Sequence, residues 1–441
     1  MDNHQLSVKS YPLYKDSAIA WLGDLPEHWE VKRLKDFSVI VRGGSPRPAG
    51  DLKFYEGNIP FLKVGDLTSN EELYLSTYTH TIKKAGLTNT RLISKNTLLL
   101  TNSGATLGIP KICTFETTFN DGIAAFTHLR NASQIFLFYF LKSQTKWYLN
   151  QASFGQGQPN LNIEIISNTF IPYPPISEQE SIATYLDTKT AQCDRKIDLL
   201  TQKATQYGKL KQSLINETVT RGLDKSVPMK DSSVEWIGDV PEHWEVNKLS
   251  QSFEQIGSGT TPKSGDETYY EDGTINWINT GDLNDGILTD CKRKVTIKAL
   301  RDHSLNIYPI GSIVIAMYGA TIGKVSILNI NGCTNQACCV LNKSKNLDIK
   351  FLFYWFLSKR NFIISLSYGG GQPNISQDTV KSLRVCAPPP EEQKAIADYL
   401  DKKTAQIDQI IKTINTQIEK LKELRKTLIN DVVTGKIKVI E

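Results

Sequence analysis

Basic and amide side chains in the loops of this sequence are suited to contact a polyanion such as nucleic acid. Positive charge alone binds phosphate groups, whereas Arg, Lys, Asn and Gln can also hydrogen-bond to the edges of bases. Two glutamines lie in the glycine-rich loops GQGQPN and GGGQPN, where the backbone can approach a ligand closely. The candidate contacts are, in the first half of the chain, Arg42, Arg47, Lys53, Lys63, Arg91 and Gln158 and, in the second half, Lys263, Lys292, Arg293, Lys294, Arg301, Lys324 and Gln372.

Each candidate also has a simpler interpretation. A single charged side chain is usually a solvated surface group, and either glutamine could cap the short helix that follows its loop. The run from Lys292 to Lys294 is the densest cluster and therefore the strongest candidate. The net charge of +5 is spread over the chain, so local clusters would have to attract a polyanion.

Motifs for catalysis are incomplete. The segment GATIGKV (residues 319–325) imitates a P-loop, but its glycines are one residue too close and no Ser or Thr follows the lysine. The segments YPPI and APPP lack the leading amide or acid of a methyltransferase catalytic tetrad, and no PD…ExK nuclease pattern stands out. These observations favour a chain without its own catalytic site. A self-contained DNA methyltransferase remains the main alternative.

A long helix is predicted over residues 174–222. No proline follows Pro175 in this range, and Gly208 is its one mild helix breaker. Ser177, with Glu180 three residues later, has the spacing of a capping box and is the predicted N-cap. Gly222 marks the predicted end.

The same helix occurs a second time. The sequence PPxxEQxxIAxYLDxKTAQ appears from Pro174 and again, 214 residues later, from Pro388. Apolar residues at heptad spacing follow in the second copy, with Arg425 as a charged exception, and this pattern requires a partner helix. We expect the two copies to pack on each other as an antiparallel coiled coil.

The segments that precede the two helices also repeat. Each begins with WxGxxPEHWEV, at Trp21 and at Trp236, and continues through short strand-like runs, a Gly-Ala-Thr hinge, an aromatic helix and a glycine-rich loop. The tryptophans are expected in the cores, and His28 is expected to have a structural role. Many short strands with few helices predict a strand-rich α+β domain.

The predicted architecture is therefore one module duplicated, with an internal pseudo-two-fold repeat. Its segments are a domain at 1–173, a central helix at 174–222, a second domain at 223–387 and a C-terminal helix at 388–441. The 441 residues suffice for two to three domains. Seven scattered cysteines predict buried thiols, and the absence of a long apolar run or signal-like N-terminus predicts a cytoplasmic protein.

These repeated motifs resemble the specificity subunits of type I restriction-modification enzymes (the HsdS family) over essentially the whole chain. The resemblance implies two target recognition domains, each of which reads one half of a split DNA sequence, and conserved helices that set the spacing. It implies two modification (methyltransferase) subunits as partners, with restriction subunits as a further possibility. S-adenosylmethionine, ATP and Mg²⁺ would then belong to those partners, and this chain would hold no cofactor or metal.

Two departures from the repeat are visible. Asp121 stands where the second copy has Gln336, and Ile109 stands where it has Lys324. DNA contacts at these positions are therefore expected to differ between the halves. If the helices set the spacing, half-sites centred about 10 bp or slightly more apart would fall on one face of the duplex. A third class, a coiled-coil scaffold with protein-binding heads, would lack salt-dependent DNA binding.

Overall fold

A computed structural model describes residues 10–152, 160–368 and 373–439 of the chain. Two compact units are present: residues 1–200 with 416–441 form the first, and residues 201–415 form the second. Each unit contains one of the two repeated domains, called a head below, and a part of both long helices. The units therefore divide the chain differently from the four segments of the sequence repeat.

The head of the first unit is rich in short strands. Its strands are β1 (Tyr14–Asp16), β2 (Asp24–Pro26), β3 (Glu30–Arg33), β4 (Val39–Arg42), β5 (Tyr55–Leu62), β6 (Tyr74–Leu75), β7 (Thr81–Ile82), β8 (Arg91–Ile93), β9 (Thr97–Thr101), β10 (Pro110–Cys113), β11 (Thr117–Phe119), β12 (Ile123–Thr127) and β13 (Phe170–Tyr173). Its helices are α1 (Val64–Leu67), α2 (Gln134–Ser143), α3 (Thr145–Ala152) and α4 (Ile163–Asn168), with 3-10 turns at Leu34–Asp36 and Lys84–Asn89.

Two sheets form the body of this head. The larger has the order β4-β12-β9-β10-β6, and the smaller has the order β7-β5-β11-β8. Strand β9 is buried along its whole length, as its leucine-rich sequence predicts. The small pairs β1-β2 and β13-β3 complete the head. Trp29 is fully buried, as predicted from its repeated motif. Trp21 and its copy Trp236 are only half-buried against their cores, which differs from the expectation.

The long helices are α5 (Ile176–Arg221) and α10 (Pro390–Val433). The bounds of α5 are close to the predicted 174–222, whereas α10 ends before the predicted 441, because the chain turns at Gly435 with a φ of +75°. Ser177 lies inside the first turn of α5, so the predicted N-cap is wrong. The backbone N–H groups of Glu178 and Gln179 donate to the carbonyl of Pro175 instead, because the Pro-Pro pair already directs the chain into the helix. Gly222 ends α5 with a φ of +73°, a conformation that favours glycine.

The head of the second unit repeats this arrangement. Its strands are β14 (Met229–Asp231), β15 (Asp239–Pro241), β16 (Glu245–Lys248), β17 (Phe253–Ser258), β18 (Ile275–Ile278), β19 (Ile287–Leu288), β20 (Lys294–Val295), β21 (Ile313–Ala316), β22 (Val325–Leu328), β23 (Gly332–Thr334), β24 (Cys338–Ser344) and β25 (Arg384–Ala387). Its helices are α6 (Leu249–Ser252), α7 (Ile297–Asp302), α8 (Ile349–Ser365) and α9 (Gln377–Ser382), with 3-10 turns at Glu267–Tyr269 and Gly319–Thr321.

The sheets of the second head have the same order as those of the first. The larger runs β17-β24-β21-β22-β19, and the smaller runs β20-β18-β23. A single antiparallel bridge between Tyr308 and Gly332 takes the place of the β8-β11 pair. The expected duplicated α+β fold is confirmed by this correspondence.

Within each unit the parts of α5 and α10 run antiparallel. In the first unit Ile182 of α5 shares the core with Ile429 of α10, and further along α5 Asp194 pairs with Arg425, which lies earlier in α10. In the second unit Lys211 pairs with Asp408 at 2.7 Å. The charged exception in the heptad pattern, Arg425, is thus held by an ion pair.

Six of the seven cysteines are buried free thiols, and Cys193 is only half-buried, contrary to the prediction. Cys193 lies on the long helix α5, away from the sheets that bury the other thiols. No described helix combines the length and apolar character needed to cross a membrane.

Candidate nucleic-acid interface

A glutamate in the first turn of each long helix fastens that helix to its head. The carboxylate of Glu178 accepts hydrogen bonds from Trp29 Nε1 (3.1 Å) and from the hydroxyl of Tyr11, and it lies 2.9 Å from His28 Nε2. The negative charge also complements the positive end of the helix dipole. Because His28 contacts this carboxylate, it has the structural role predicted from the sequence.

The second unit contains the same junction. Glu392 accepts from Trp244 Nε1 at 3.1 Å and lies 2.8 Å from His243 Nε2. The next residue of the motif, Gln393, is buried and accepts a hydrogen bond from the backbone N–H of Asp348. The glutamate and glutamine that the helix motif repeats are therefore explained by their contacts between the helix and its head.

Replacing Glu178 with alanine is expected to lower the free energy of unfolding of the first unit by about 2–3 kcal/mol, because buried donors on Trp29 and Tyr11 lose a charged acceptor. Urea unfolding followed by tryptophan fluorescence measures this change. Glu180→Ala, an exposed neighbour on the same helix turn, is the matched control and should change stability by less than about 0.5 kcal/mol. Equal effects of the two substitutions would contradict the assigned role.

A groove with a volume of about 550 Å³ lies in the first head beside β5. Arg47 and Lys63, both candidates from the sequence, line it together with His80 and Asn120. The hydroxyl of Tyr55 donates to the carbonyl of Pro46 at 2.7 Å and so fixes the loop that carries Arg47. Burial raises the pKa of Tyr55, and the nearby charge of Arg47 opposes that rise.

The second head has a groove of about 380 Å³ in the same place. Arg293 and Lys294 line it together with Trp277. The hydroxyl of Tyr270 donates to the carbonyl of Pro262 at 2.6 Å, which repeats the contact between Tyr55 and Pro46. Burial raises the pKa of Tyr270, and Arg293 opposes the rise.

Backbone hydrogen bonds align the two grooves residue by residue. The N–H of Phe61 donates to the carbonyl of His80 at 2.9 Å, and the N–H of Trp277 donates to the carbonyl of Arg293 at 3.0 Å. The run Lys292-Arg293-Lys294 therefore occupies the position that Thr79-His80-Thr81 holds in the first head. One scaffold thus presents a strongly basic edge in one head and a nearly neutral edge in the other.

His80 and its neighbours were missed by sequence reasoning because they carry little charge. The repeated Gly-Asp-Leu motif, at residues 65–67 and 281–283, is a sequence signal for them. Asp66 accepts a hydrogen bond from the backbone of Thr79 at 3.0 Å, and Asp282 accepts one from the backbone of Lys292 at 3.3 Å. The aspartate of each motif therefore holds the first residue of the edge segment, Thr79 or Lys292, by a backbone hydrogen bond.

The remaining candidates of the first head lie outside its groove. Arg42 and Arg91 are exposed neighbours: Arg91 Nε donates to the Arg42 carbonyl at 3.0 Å, and Arg42 Nε donates to the carbonyl of Asp121 at 2.7 Å. Lys53 is exposed, with its ammonium 5.4 Å from the centre of the Phe54 ring. Gln158 lies outside the described residues.

In the second head Lys263 is exposed, and it directly precedes two residues that line the groove, Ser264 and Gly265. Lys292 and Arg301 are exposed, and Arg301 belongs to α7. Lys324 is half-buried after the hinge, where its carbonyl accepts from Ala316. Gln372 lies outside the described residues.

Two copies of one α+β head, each with a groove at the edge of its smaller sheet and each fastened to a long helix, define a two-headed binding protein. The edge segments of the two grooves differ in charge. The sequence profile of the family described as "Type I restriction modification DNA specificity domain" matches residues 26–206 and 241–420. The chain belongs to this family, that of the type I restriction-modification specificity subunits.

Known relatives span nearly the whole chain. The type I restriction enzyme MjaVIII specificity subunit of Methanocaldococcus jannaschii is 27% identical over 430 residues, which cover 94% of each chain. The EcoKI specificity subunit of Escherichia coli is 20% identical over 451 residues, covering 94% of this chain and 90% of the relative.

Solved structures share the fold. A chain from a study of assembly and conformational transition of the type I R-M system matches with a TM-score of 0.73 and 17% identity, over 93% of this chain and 98% of that chain. The HsdS subunit from Thermoanaerobacter tengcongensis matches with a TM-score of 0.55 and 17% identity, over 94% and 98%.

Proposed function

We propose that this chain reads a split DNA sequence for a type I restriction-modification enzyme, with each head reading one half. The observation that carries the proposal is the pair of equivalent grooves whose lining residues differ. Equivalent backbone contacts would place both edge segments alike against DNA, and their different side chains would select different bases. The two half-sites are therefore expected to differ in sequence.

The long helices would set the distance between the half-sites and would dock two modification subunits. Restriction subunits would join through that assembly. Catalysis would reside in those partners, together with S-adenosylmethionine, ATP and Mg²⁺, because this sequence offers no complete catalytic motif. The complex would act in the cytoplasm, where its DNA substrate is found.

Contacts to bases are assigned to the groove residues Arg47, Lys63, Arg293 and Lys294, with Lys263 and Lys292 beside them. Exposed arginines outside the grooves, such as Arg42, Arg91 and Arg301, would contact phosphates, where position is less demanding. Lys53, Lys324, Gln158 and Gln372 complete the proposed set.

Mapping of methylated sites in cells that express this chain with a modification partner tests the proposal. A single bipartite motif with a fixed gap is expected. DNA that stays unmodified, or a continuous motif, would contradict it. Methylation of DNA by the purified chain alone would favour the self-contained methyltransferase instead. The absence of salt-dependent DNA binding by the purified complex would favour a protein-binding scaffold.

Arg293→Ala is expected to relax base selection in one half of the motif, at a cost of about 1–3 kcal/mol in binding to the parent site, because a bidentate contact to a base is lost. Competition binding of the complex with single-base variants of the site measures the effect. Lys345→Ala removes an exposed lysine from the same head and should leave selection unchanged. An unchanged base preference in Arg293→Ala would exclude Arg293 from base reading.

A further inference from the structure

A second cavity lies in the first unit, apart from the groove. Its volume is about 770 Å³, within the range of small-molecule sites. The loop of residues 68–72, the start of β10, helix α2 and the adjoining parts of α5 and α10 form its walls. Ile109, Phe138 and Ile429 supply an apolar surface inside it. We call it the lysine cavity, after the four lysines that line it (Lys111, Lys142, Lys422 and Lys426).

Cationic side chains outnumber anionic ones in the lysine cavity. Five cations, the four lysines and Arg425, face three carboxylates. Arg425 is already paired with Asp194 and Glu71, so two of those carboxylates are committed to it. Lys422 is paired with Glu419 at 3.0 Å. Lys111, Lys142 and Lys426 form no ion pair with a carboxylate among the described residues, and an anion from solution would supply the missing negative charge.

Lys111 is the most unusual of these lysines. It is 1% exposed, although lysine is almost never fully buried. Its ammonium donates to Asn70 Oδ1 at 2.7 Å and to the backbone carbonyl of Glu72. Burial, and then the charge of Lys142, lower the pKa of Lys111 to about 8.

The fold itself does not require a lysine at this position. Lys111 faces Leu99 across the β9-β10 pair, and the equivalent position of the β21-β22 pair is Ser326, which faces Val314. The hydroxyl of Ser326 donates to Asn284 Oδ1 at 3.0 Å, so an uncharged side chain makes the corresponding structural contact. A contact of this kind to the loop therefore does not need a charged group, and the charge at this position is a feature of the first head.

The second unit fills the corresponding space with its own side chain. Thr145 Oγ1 donates to the carbonyl of Gly108 at 2.9 Å, and in the second unit Arg360 Nε donates to the carbonyl of Gly323 at 3.0 Å. The guanidinium of Arg360 continues to the carboxylate of Asp285. The short threonine of the first unit has no such reach, and its position borders the open cavity.

Like charges also converge at the rim. Burial and the neighbouring ammonium of Lys146 lower the pKa of Lys426, and burial and Arg425 lower the pKa of Lys142. Repulsion of this kind is unfavourable in the empty protein and is relieved when an anion binds between the cations. A phosphate group suits the site, because several ammonium groups can each donate to its oxygens.

We propose that the lysine cavity binds a small organic phosphate, with the phosphate group held by Lys111, Lys142 and Lys426 and the apolar or aromatic body against Ile109 and Phe138. The proposal is independent of DNA reading by the grooves. It is specific to the first unit, because Ser326 and Leu357 replace Lys111 and Lys142 in the second.

Calorimetric titration of the full-length chain with AMP, inorganic phosphate and adenosine tests the proposal. AMP is expected to bind at a single site, inorganic phosphate more weakly, and adenosine not at all. Lys111→Ser and Lys142→Leu, which introduce the residues of the second unit, should each weaken AMP binding by about tenfold or more, equivalent to about 1.4 kcal/mol. Lys84→Ser removes an exposed lysine of the same unit and should leave AMP affinity unchanged.

Thermal unfolding of each variant separates loss of the ligand from loss of the fold. Affinities of both folded cavity variants within about twofold of the parent would overturn the proposal, as would the absence of AMP binding at millimolar concentration. Equal affinity for inorganic phosphate and AMP would overturn the assignment of an organic ligand. Displacement of AMP by a non-specific DNA duplex would show that the cavity binds DNA phosphates. That result would also overturn the proposal of a small organic ligand.

AMP affinity should also depend on pH. The charged groups that line the cavity with Lys111 are Glu71 and Glu72 from the loop, Lys142 from α2, Asp194 from α5, and Lys422, Arg425 and Lys426 from α10. With a lowered pKa of about 8, Lys111 carries its charge at pH 7 and loses it by pH 9. The phosphate stays dianionic over this range. Affinity should therefore fall as the pH rises from 7 to 9, and Lys111→Ser should flatten the profile.

Discussion

Inserting seven residues into both long helices is expected to widen the gap between the two halves of the methylated target by about three base pairs. Seven residues make two helical turns, about 10.5 Å, and one base pair rises about 3.4 Å. Because two turns restore the same helix face, the apolar seam keeps its register. The insertions belong between Asp194 and Lys211 in α5 and between Asp408 and Arg425 in α10, so that both ion pairs persist.

Methylation mapping in cells that carry the lengthened chain and its modification partner measures the gap. The matched control carries the same seven residues after Lys225, in the loop that follows α5, and should leave the gap unchanged. A gap that stays the same in the helix variant, with methylation retained, would show that the helices do not set the spacing. An insertion in α5 alone should abolish methylation, because it breaks the pairing of the helices.

Exchanging residues 1–173 for those of another specificity subunit is expected to change one half of the methylated motif completely and leave the other half and the gap unchanged. The reason is the separation of the cores. The main core of the second head contains residues of that head and of its adjoining helix parts, including Ile215 and Ile396. None of the described residues in the range 10–173 contributes to it.

The exchanged head must still fasten to α5. A head taken from a subunit that keeps the tryptophan and histidine of WxGxxPEHWEV can hydrogen-bond to Glu178. A head that also keeps a tyrosine at the position of Tyr139 can donate to Asp187, as Tyr139 does at 2.6 Å. The reciprocal exchange of residues 223–387 should alter the other half of the motif. Changes in both halves after a single exchange would contradict a division of the reading between the heads.

Much of the fold could be predicted from the sequence because the repeat reports it twice. The two long helices, the strand-rich heads and the buried tryptophans follow from motifs that survive in both copies. The start of α5 was misjudged at Ser177, because the spacing of a capping box does not reveal that a preceding Pro-Pro pair makes the cap unnecessary. Cys193 was misjudged because burial depends on neighbours that the chain order does not show.

The grooves could be predicted only in part. Arg47, Lys63, Arg293 and Lys294 stood out by charge, and the structure places them on equivalent surfaces of the two heads. The match of Thr79-His80-Thr81 to a basic run of different composition could not be seen, because the segment that leads from Asp66 to Thr79 is three residues longer than the one from Asp282 to Lys292. Backbone hydrogen bonds carry that equivalence, and they depend on position rather than on residue type.

The lysine cavity escaped sequence reasoning for a related reason. Lys111 sits inside the apolar strand β10 and looks like an ordinary polar position of a strand. Its neighbours come from distant parts of the chain, including Glu72 and Arg425. Only the folded unit shows that these charges meet.

The end of α5 at Gly222 has a consequence for how such genes change. The residues up to that glycine include one head, the glutamate that fastens it, and the helix α5. The C-terminal part of α5 corresponds in the repeat to the part of α10 that completes the first unit. Two copies of a chain that ends there would together contain an equivalent of every element of the full-length molecule. The C-terminal part of α5 in each copy would pack on the other copy. Such a truncated product would be a symmetric homodimer, and its target would be a palindrome.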